Sequence, residues 1–541
     1  MVVMVLKSSQ EYELEIETLK KQIKQKDLKI ADLETEKKTL KMKLQIQQEN
    51  FEDWKKENKL SVKEKQNIEK EMNETRRKHD LYIEQMKYER RKFKDEIENL
   101  QIAVANLQDR LNKDSSNSSI PSSVEKIYTK RKCVNTSREK TDRRTGGQPG
   151  HKGSGLTKEK AKELIESGKA EHVTIEHVLE GADVSTSECI IKYELDIEIK
   201  TKVIEHRFYV KESANEIPEE YNTDVQYGDN VKTFATVALN EGFISLNRTA
   251  NIINEMTNNT INLSEGTLVN FNKELAKNSK GSVEKIKEAL IMAKVLNVDE
   301  TGVRVNGELN WLHTAVSEYY TYYQIESKRG KDGISNLGIL EYFVGVLVHD
   351  HFVSYYKYKS MTHAECNAHI LRYLKLVIEL FQRKGAEEFL EFLIEINNNR
   401  KALEMKNIHA FSKVEIEDIE AEYSKLLNNW EREYLKYVKG KRKTQSLIDE
   451  ENLFKRLKEY KEQHLQFAKD FSVPFSNNNA EKSLRLIKTK MKVSGCFRGN
   501  DNGANFATIR SLFETTKKQG LNLFESVRKT FNKKELEFIK A

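Results

Sequence analysis

The sequence predicts an α/β core that is interrupted by an all-helical insertion and preceded by a long N-terminal coiled coil. Three observations predict this fold class. Heptad spacing of apolar residues fills most of residues 10–112, strand-like apolar runs recur between residues 293 and 349, and residues 364–470 show helical periodicity almost throughout. At 541 residues the chain is too long for one hydrophobic core, so we expect three or more domains.

Composition favours a chain with a long, solvated helical section. Charged residues make up 33% of the sequence and apolar residues only 38%, which is too polar for one compact globule. The net charge is only +7, because 92 basic residues face 85 acidic ones. A surface that binds nucleic acid must therefore arise from local clusters of basic residues and not from overall charge.

Cysteine usage and hydropathy indicate a cytoplasmic protein. The sequence contains no Cys-x-x-Cys pair, so spacing predicts neither a disulfide framework nor a thiolate zinc knuckle for Cys133, Cys189, Cys366 and Cys496. The apolar run at the N-terminus is too short for a signal peptide. No stretch of about 18 uncharged apolar residues occurs, so we expect no membrane span.

Residues 1–113 are predicted to form the coiled coil. Its a positions hold Ile16, Ile23, Ile30, Lys37 and Leu44, and its d positions hold Leu19, Lys26, Leu33, Leu40 and Gln47. The same spacing returns in Phe93, Ile97, Leu100, Val104, Leu107 and Leu111. Such a stripe is buried only against another helix, so a dimerisation rod is favoured over a docking arm for another protein. Poor register at 50–90 predicts a break or stutter there.

Residues 114–160 are predicted to form a flexible basic linker. Ser, Asn and Pro dominate residues 114–123, and they bury little apolar area. A basic stretch follows and ends in the glycine-rich segment 146–153, where a backbone lies close to phosphates with little steric cost. A basic linker that is only solvated, without binding phosphates, fits the sequence equally well. The predicted DNA contacts here are Lys130, Arg131, Lys132, Arg143, Arg144, His151 and Lys152.

Residues 161–290 are predicted to form a small β/helical DNA-binding region. Apolar and polar residues alternate over 171–211, which predicts short strands within 161–230. Residues 231–290 change to helical periodicity, with Ser264 as a helix N-cap. Short helices on either side of residues 258–260 are compatible with a helix-turn-helix, although plain helical packing is favoured.

Residues 291–375 are predicted to form the first part of the catalytic core. Strands are expected at 293–298, 310–317, 319–326 and 343–349, and the middle two read as a hairpin. Consecutive antiparallel strands, a further strand and then helices are typical of an α/β core of ribonuclease H type. A helical insertion is expected at 376–470, followed by the C-terminal part of the core at 471–541.

Three acidic residues occupy positions at which a core of this type carries its catalytic residues. Asp299 and Asp350 each follow an apolar run, and Glu481 opens a basic helix, while Glu300 and Asp501 are rival acids. Hard divalent cations prefer carboxylate oxygens, and three acids suffice to hold two Mg²⁺ or Mn²⁺ ions about 3.5–4 Å apart. Paired ions of this kind stabilise both the attacking and the leaving oxygen at a phosphodiester.

A cluster of cations surrounds the third acid. A basic helix that carries a catalytic acid suits a DNA backbone, although a solvated basic helix is the equal alternative. The predicted contacts are Arg485, Lys488, Lys490 and Lys492.

Zinc binding is also considered at His363, Cys366 and His369. On one helix these side chains spread over too wide an arc, and no fourth ligand is evident, so helix packing is favoured.

The assembled motifs resemble the transposases of the insertion sequence 66 family, which are DDE recombinases. The matching segments occur in family order: the Ser/Asn linker, 147–151 (Gly-Gln-Pro-Gly-His), 299–302 (Asp-Glu-Thr-Gly), the strand before Asp350, 366–369 (Cys-Asn-Ala-His) and 477–485. The resemblance implies a DDE triad of Asp299, Asp350 and Glu481 with Mg²⁺. It also implies terminal inverted repeats as substrate, accessory proteins from the same element, and a location at the bacterial nucleoid.

Two departures from the family pattern limit what the resemblance implies. The family has a cysteine-rich zinc-binding region after the Gly-Gln-Pro-Gly-His motif, whereas this chain has only Cys189 there, so zinc is not carried over. Ser476 stands where an Asp often precedes the Asn pair near the third acid.

Three functions agree with the sequence. The leading hypothesis is a DNA transposase that assembles as a homo-oligomer through its coiled coil. The alternatives are a non-catalytic DNA-binding or scaffold remnant of an element, and a structure-selective nuclease of the same fold that cuts without joining.

Overall fold

The computed structural model describes residues 9–57, 62–112, 157–177, 189–209, 218, 221 and 223–540. The predicted linker contacts, Lys130 to Lys132, Arg143, Arg144, His151 and Lys152, lie outside these residues. Among the helices of the described ranges, none is both long and apolar enough to cross a membrane.

The predicted coiled coil consists of two long helices that pack against each other within one chain. They are α1 (Ser9–Glu57) and α2 (Val62–Asn112). Early residues of α1 meet late residues of α2, so the pair is an antiparallel hairpin. Its cross-helix contacts are Lys26 with Glu96, Glu34 with Arg90, Glu36 with Tyr82 at 2.9 Å, and Lys55 with Glu69 at 3.4 Å.

The predicted heptad register is confirmed from Ile16 to Leu44, with the chain's own second helix as the partner, whereas the predicted d position Gln47 is exposed. Ile16 is buried and the following positions from Leu19 to Leu44 are partly buried, while the residues between them are exposed. On α2 the most buried positions are Ile83, Met86, Ile97 and Val104. The expected break corresponds to the end of α1 at Glu57 and the start of α2 at Val62. Pairing between two chains stays a prediction.

The C-terminal half of α2 docks on the helices that follow the sheet. Arg442 donates from Nη1 to Asn99 Oδ1 at 2.8 Å, and the backbone amide of Gln445 donates to Asn106 Oδ1 at 2.8 Å. The hairpin is therefore attached to the main body by hydrogen bonds that the side-chain amide oxygens of α2 accept.

The strands predicted over 171–211 are not formed in the described residues 171–177 and 189–209. Helix α3 (Lys158–Glu166) precedes this segment. The described residues of the segment itself have no regular secondary structure. Ile197 is 85% exposed and Val203 is 97% exposed. The prediction is wrong there because alternation favours a strand only where a second surface buries its apolar face.

Three helices precede the sheet and pack on one another: α4 (Asp229–Asn240), α5 (Leu246–Met256) and α6 (Glu265–Ile291). The Ser264 hydroxyl accepts from the amide of Thr267 at 3.1 Å, which confirms the predicted N-cap. Residues 257–264 join α5 to α6, a longer link than the roughly 3–4 residues of a helix-turn-helix. The arrangement favours plain helical packing.

A five-stranded mixed sheet forms the centre of the molecule. Its strands are β1 (Val295–Val305), β2 (Glu308–Val316), β3 (Thr321–Glu326), β4 (Val346–His349) and β5 (Thr362–Glu365). The spatial order is β3-β2-β1-β4-β5, with β1, β2 and β3 antiparallel and β1, β4 and β5 parallel. The predicted β2–β3 hairpin is confirmed.

Two features of the sheet differ from prediction. Strand β1 continues through the polar segment 299–302 to Val305 and turns at Asn306 and Gly307, both with positive φ, into β2. Strand β5 was expected to be helical. Hydrogen bonding to β2 and β4 overrides the local polarity of these segments.

Helices cover the sheet and close the fold. The short helix α7 (Lys331–Ser335) follows β3, and a 3₁₀ turn at Tyr355–Lys357 follows β4. The C-terminal helices are α13 (Asn478–Ser494), α14 (Asn500–Lys518) and α15 (Leu523–Phe531). Helix α13 packs on β1 and β2, where Leu484 and Ile487 join Leu312 in one apolar cluster.

The predicted helical block is confirmed between the sheet and α13. It contains α8 (Asn367–Phe381), α9 (Lys384–Glu404), α10 (Lys413–Val438), α11 (Gln445–Glu459) and α12 (Lys461–Lys469). It has its own core around Trp430, whose ring packs on Phe454 with centroids 4.3 Å apart. Within this core, Arg383 and the Trp430 indole both donate hydrogen bonds to the buried carboxylate of Glu450. Helix α12 ends at Lys469, before Pro474, which was expected to end it.

Gly385 of α9 packs directly against Trp430 of α10, which gives a stability prediction. A Cβ there would lie 2.6 Å from the Trp430 Cα, so Gly385→Ala forces α9 away from α10. We expect the free energy of unfolding to fall by about 1–3 kcal/mol in a urea titration. Gly266→Ala is the control, because its Cβ would be 3.7 Å from the nearest atom and no loss is expected. Equal stability of both variants would contradict the close packing.

Candidate active site

Asp299 lies in the middle of β1, the central strand, and not at a strand end as predicted. It is paired with Thr314 of β2, and the sheet continues beyond it to Val305. The polar neighbours after Asp299 suggested an end, but they continue the β1–β2 hairpin. The acid is thus fixed by a strand that is hydrogen-bonded on both sides.

Asp350 directly follows β4, as predicted, and the sheet register brings it beside Asp299. Strands β1 and β4 are parallel, with Val295 opposite Val346 and Asn297 opposite Val348. Two further steps along this register lead to Asp299 and Asp350. The Asp350 Oδ1 accepts from the amide of Phe352 at 3.0 Å, which fixes the side chain in a local turn.

Glu481 lies in the first turn of α13, and the residue before this helix fixes its position against β1. Asn477 is buried, and its side chain donates to the Val298 carbonyl at 2.7 Å. Its Oδ1 accepts from Asn297 Nδ2 at 2.9 Å. Because Val298 precedes Asp299, this asparagine couples the helix of the third acid to the strand of the first.

The Cys-Asn-Ala-His segment at 366–369 completes the same junction. The Asn477 amide donates to Cys366 Sγ at 3.1 Å, and the Asn367 amide donates to the Phe475 carbonyl at 3.0 Å. The Asn367 side chain donates to the His464 carbonyl at 3.0 Å. This segment therefore joins β5, α12 and the start of α13.

The charges of the other two acids act on Asp299. Burial raises the pKa of Asp299 well above its ordinary value, and the charges of Glu300, Asp350 and Glu481 raise it further. Burial and the charge of Glu300 also raise the pKa of Asp350. Crowded carboxylates of this kind are destabilised by mutual repulsion, which a bound cation relieves.

Glu481 has the properties expected of a metal ligand. Its Oε1 is buried without a hydrogen-bond partner, and the Arg372 guanidinium stands 3.7 Å from its Oε2. The His369 ring lies 3.8 Å from Oε1, but burial lowers its pKa to about 3, so the ring is neutral. A buried acceptor without a donor is costly, so the oxygen is suited to a cation. The donor set of Asp299, Asp350 and Glu481 consists only of carboxylates, which fits Mg²⁺ or Mn²⁺.

A softer metal is disfavoured at the neighbouring cluster of Cys366, His369 and Glu481. Their ligand atoms lie within 4.8 Å of one another. Burial raises the pKa of the Cys366 thiol, and its Sγ already accepts from the backbone amide of Asn477 at 3.1 Å. His363, the third residue of the zinc hypothesis, lies on β5 and not on a helix with the others. It contacts His349 Nε2 at 3.0 Å.

Glu300 and Asp501, the rival acids, have other surroundings. Alternation along β1 turns Glu300 away from Asp299, and its carboxylate accepts from Arg329 Nε at 2.9 Å and from the Tyr355 hydroxyl at 2.6 Å. Asp501 is exposed in the first turn of α14.

A buried carboxylate, Glu365, joins the sheet to the helical block. It accepts from Arg456 Nη2 at 2.6 Å and from His464 Nε2 at 3.0 Å, and also from His351 and Tyr356. His351 follows Asp350, so this network holds the loop after β4 against α11 and α12.

The predicted cations of α13 fall into two groups. Arg485, Lys488 and Lys492 are exposed, as a DNA contact requires. Lys490 is partly buried, its ammonium lies 5.9 Å from the centre of the Phe506 ring, and burial lowers its pKa. The structure thus separates Lys490 from the exposed basic face.

Sequence reasoning missed Asn477, Glu365 and Arg329 as members of the site. Asn477 stands in the quoted Asn-Asn-Asn segment, and this motif was the available signal. Glu365 and Arg329 carry no local pattern, because their partners come from other strands, loops and helices of the fold.

The Glu365 network predicts a pH-dependent stability. Burial raises the pKa of Glu365, but hydrogen bonds from His351 and His464 and the charge of Arg456 outweigh it and depress the pKa strongly. A depressed carboxyl pKa adds stability above the unfolded value, about 4.3, and this stability is lost as pH falls. Glu365→Gln should cost about 3 kcal/mol at pH 7 in urea unfolding, and the deficit should shrink below about pH 4.

The control for this series is Glu462→Gln. Glu462 is exposed in α12 and pairs with Lys469, so its loss should change stability by less than about 1 kcal/mol at neutral pH. A deficit of Glu365→Gln that stays constant from pH 3 to pH 7 would contradict the assigned charge of Glu365.

Comparison with known proteins agrees with the geometry. No curated protein matches the chain. The family model described as Transposase IS66 family matches residues 225–505, a range that includes the sheet, the helical block, α13 and all three acids. More than half of the 541 residues are matched, and the chain therefore belongs to the IS66 family of transposases.

Proposed function

We propose that this chain is the DNA transposase of an insertion sequence. It binds terminal inverted repeats and catalyses metal-dependent strand cleavage and transfer with Asp299, Asp350 and Glu481. The observation that carries the proposal is the junction of β1, the end of β4 and the start of α13, where each element contributes one of the three acids.

The core is proposed to be ribonuclease H-like, with a helical insertion. Support comes from the strand order β3-β2-β1-β4-β5, in which an antiparallel meander is followed by two parallel strands. The helical block from α8 to α12 separates the second acid from the third in sequence, and it has a separate apolar core. Both features suit an insertion into an otherwise continuous catalytic unit.

The carboxylates are proposed to hold two Mg²⁺ or Mn²⁺ ions. Bound divalent ions supply Lewis acidity at the phosphate and a nucleophile at neutral pH. Asp299 and Asp350 are preorganised by the sheet register, and Asn477 holds the Glu481 helix against β1. The buried, unpaired Glu481 Oε1 gives this acid an open coordination position.

DNA is the proposed partner of the exposed face of α13. Arg485, Lys488 and Lys492 lie on the helix that also carries Glu481, so phosphates bound there pass close to the acids. Homo-oligomerisation, accessory proteins of the same element and a location at the nucleoid are parts of the same proposal. The basic linker at 114–160 is proposed as a second DNA contact.

The triad is tested by strand transfer in Mg²⁺ with DNA that carries the element's ends. Asp299→Asn, Asp350→Asn and Glu481→Gln should each reduce strand transfer by at least about a thousandfold, because each removes a metal ligand and no covalent step replaces it. Gel-shift affinity for the same DNA should change less than about threefold.

Asp501→Asn is the matched control, since this acid lies close in sequence to Glu481 but is exposed on another helix. It should keep full activity. Full activity of a triad variant would remove that residue from the site. Nicking without joining by the wild type would favour the structure-selective nuclease, and DNA binding without chemistry would favour the scaffold remnant.

The basic face of α13 is tested by the salt dependence of binding. The double variant Arg485→Ala/Lys488→Ala removes two phosphate contacts and should lower the slope of log affinity against log salt by about 2. Lys384→Ala/Lys425→Ala, two exposed cations of the helical block, should leave the slope unchanged. An unchanged slope in the first variant would place the DNA elsewhere.

A further inference from the structure

Arg329 is held rigidly at the edge of the candidate active site. It follows β3, and its guanidinium lies between two aromatic rings, 4.8 Å from the centre of Trp311 and 4.6 Å from the centre of Phe352. Its Nε donates to Glu300 at 2.9 Å. Glu300 is itself fixed by the Tyr355 hydroxyl at 2.6 Å, so the arginine has a single well-supported orientation.

The partners of Arg329 connect it to Asp350. The guanidinium stacks on Phe352, whose amide donates to Asp350, whereas Glu300 lies on the face of β1 opposite to Asp299. The charge of Arg329 reaches Asp350 and opposes the rise of its pKa. The guanidinium is therefore near Asp350 without forming an ion pair with it.

The exposed part of the guanidinium is free to bind a ligand. The Glu300 carboxylate is only 1% exposed, whereas the Arg329 side chain is 45% exposed. Within the described residues its one hydrogen bond uses Nε, which leaves the terminal amino groups available to a ligand. An arginine that served only to neutralise Glu300 would need neither the stacking on two aromatic rings nor a partly exposed guanidinium.

We propose that Arg329 binds a phosphodiester of the DNA strand next to the scissile phosphate. The proposal deepens the transposase function and rests on it. A planar guanidinium with two free amino groups matches two phosphate oxygens in a forked arrangement, and stacking on Trp311 and Phe352 fixes its plane. Because the cation is already oriented, little freedom is lost when the phosphate binds.

A phosphate at this position also explains why a cation stands among acids. Before metal ions bind, the carboxylates of Asp299, Asp350 and Glu481 repel an approaching DNA strand. Arg329 supplies a fixed positive charge at its rim, and the bound strand is thereby positioned over the carboxylates.

The experiment couples Arg329 to single phosphates of the DNA. Neutral methylphosphonates replace, one at a time, the phosphates within a few nucleotides of the cleavage site. Binding is measured with Ca²⁺ in place of Mg²⁺ so that the DNA stays intact. In the wild type, one substituted position should weaken binding about tenfold to a hundredfold, as expected for a lost charge-assisted hydrogen bond.

Variants of Arg329 then identify that position. In Arg329→Ala, the methylphosphonate at the same position should cost less than about twofold, while other positions keep their wild-type effects. Arg329→Lys keeps the charge and the contact with Glu300 but not the fork, so it should fall between these limits. If Arg329→Ala does not fold, Arg329→Lys provides the test instead. Lys328→Ala, an adjacent exposed cation paired with Asp332, should behave as the wild type.

Different results separate this proposal from the transposase function. If the wild type cleaves and joins DNA but the losses from Arg329→Ala and from the methylphosphonate are additive at every position, the Arg329 contact is refuted and the function stands. If the wild type neither cleaves nor joins, while one position is coupled to Arg329, the phosphate contact stands and the catalytic proposal fails.

Discussion

The buried side chain of Asn477 is the contact on which the rest of the site depends. It bonds to the Val298 carbonyl and to Asn297 with one amide group, and its backbone amide bonds to Cys366. Glu481 is four residues further on, and Asp299 is the next residue after Val298. One side chain thereby fixes the separation of two acids that are 182 positions apart in the sequence, and a buried amide left without partners would cost about 1–3 kcal/mol.

The register of the sheet fixes the position of Asp350 relative to Asp299. Because β1 and β4 are parallel and adjacent, their register leads to Asp299 and Asp350 at the same level, and the turn at Phe352 holds the Asp350 side chain. The network around Glu365 then fixes the loop after Asp350 to the helical block. The block therefore supports the active site from outside, although it contributes none of the three proposed acids.

Sequence reasoning identified the elements that carry two of the acids but not the contacts that fix them. Apolar runs and basic helical periodicity are local signals, so the strand before Asp350 and the helix of Glu481 were predicted correctly. The extension of β1 past Asp299 depends on pairing with β2, which is a tertiary effect. Asn297 is 180 residues from Asn477, and Arg456 is 91 residues from Glu365, and periodicity carries no information on such pairs. The heptads of α1 and α2 gave the correct register, yet spacing alone does not state whether the partner helix belongs to the same chain.

The central claim is that Asp299, Asp350 and Glu481 share bound metal ions, and Fe²⁺ mapping tests it most directly. Fe²⁺ replaces Mg²⁺ on the protein in complex with DNA, and ascorbate with peroxide then produces radicals that cut the backbone beside the metal. We expect cuts near residues 299, 350 and 481, all suppressed together by excess Mg²⁺ and by Asp350→Asn. Cuts confined to other segments, or cuts near 299 and 350 that persist in Asp350→Asn, would contradict a shared metal site.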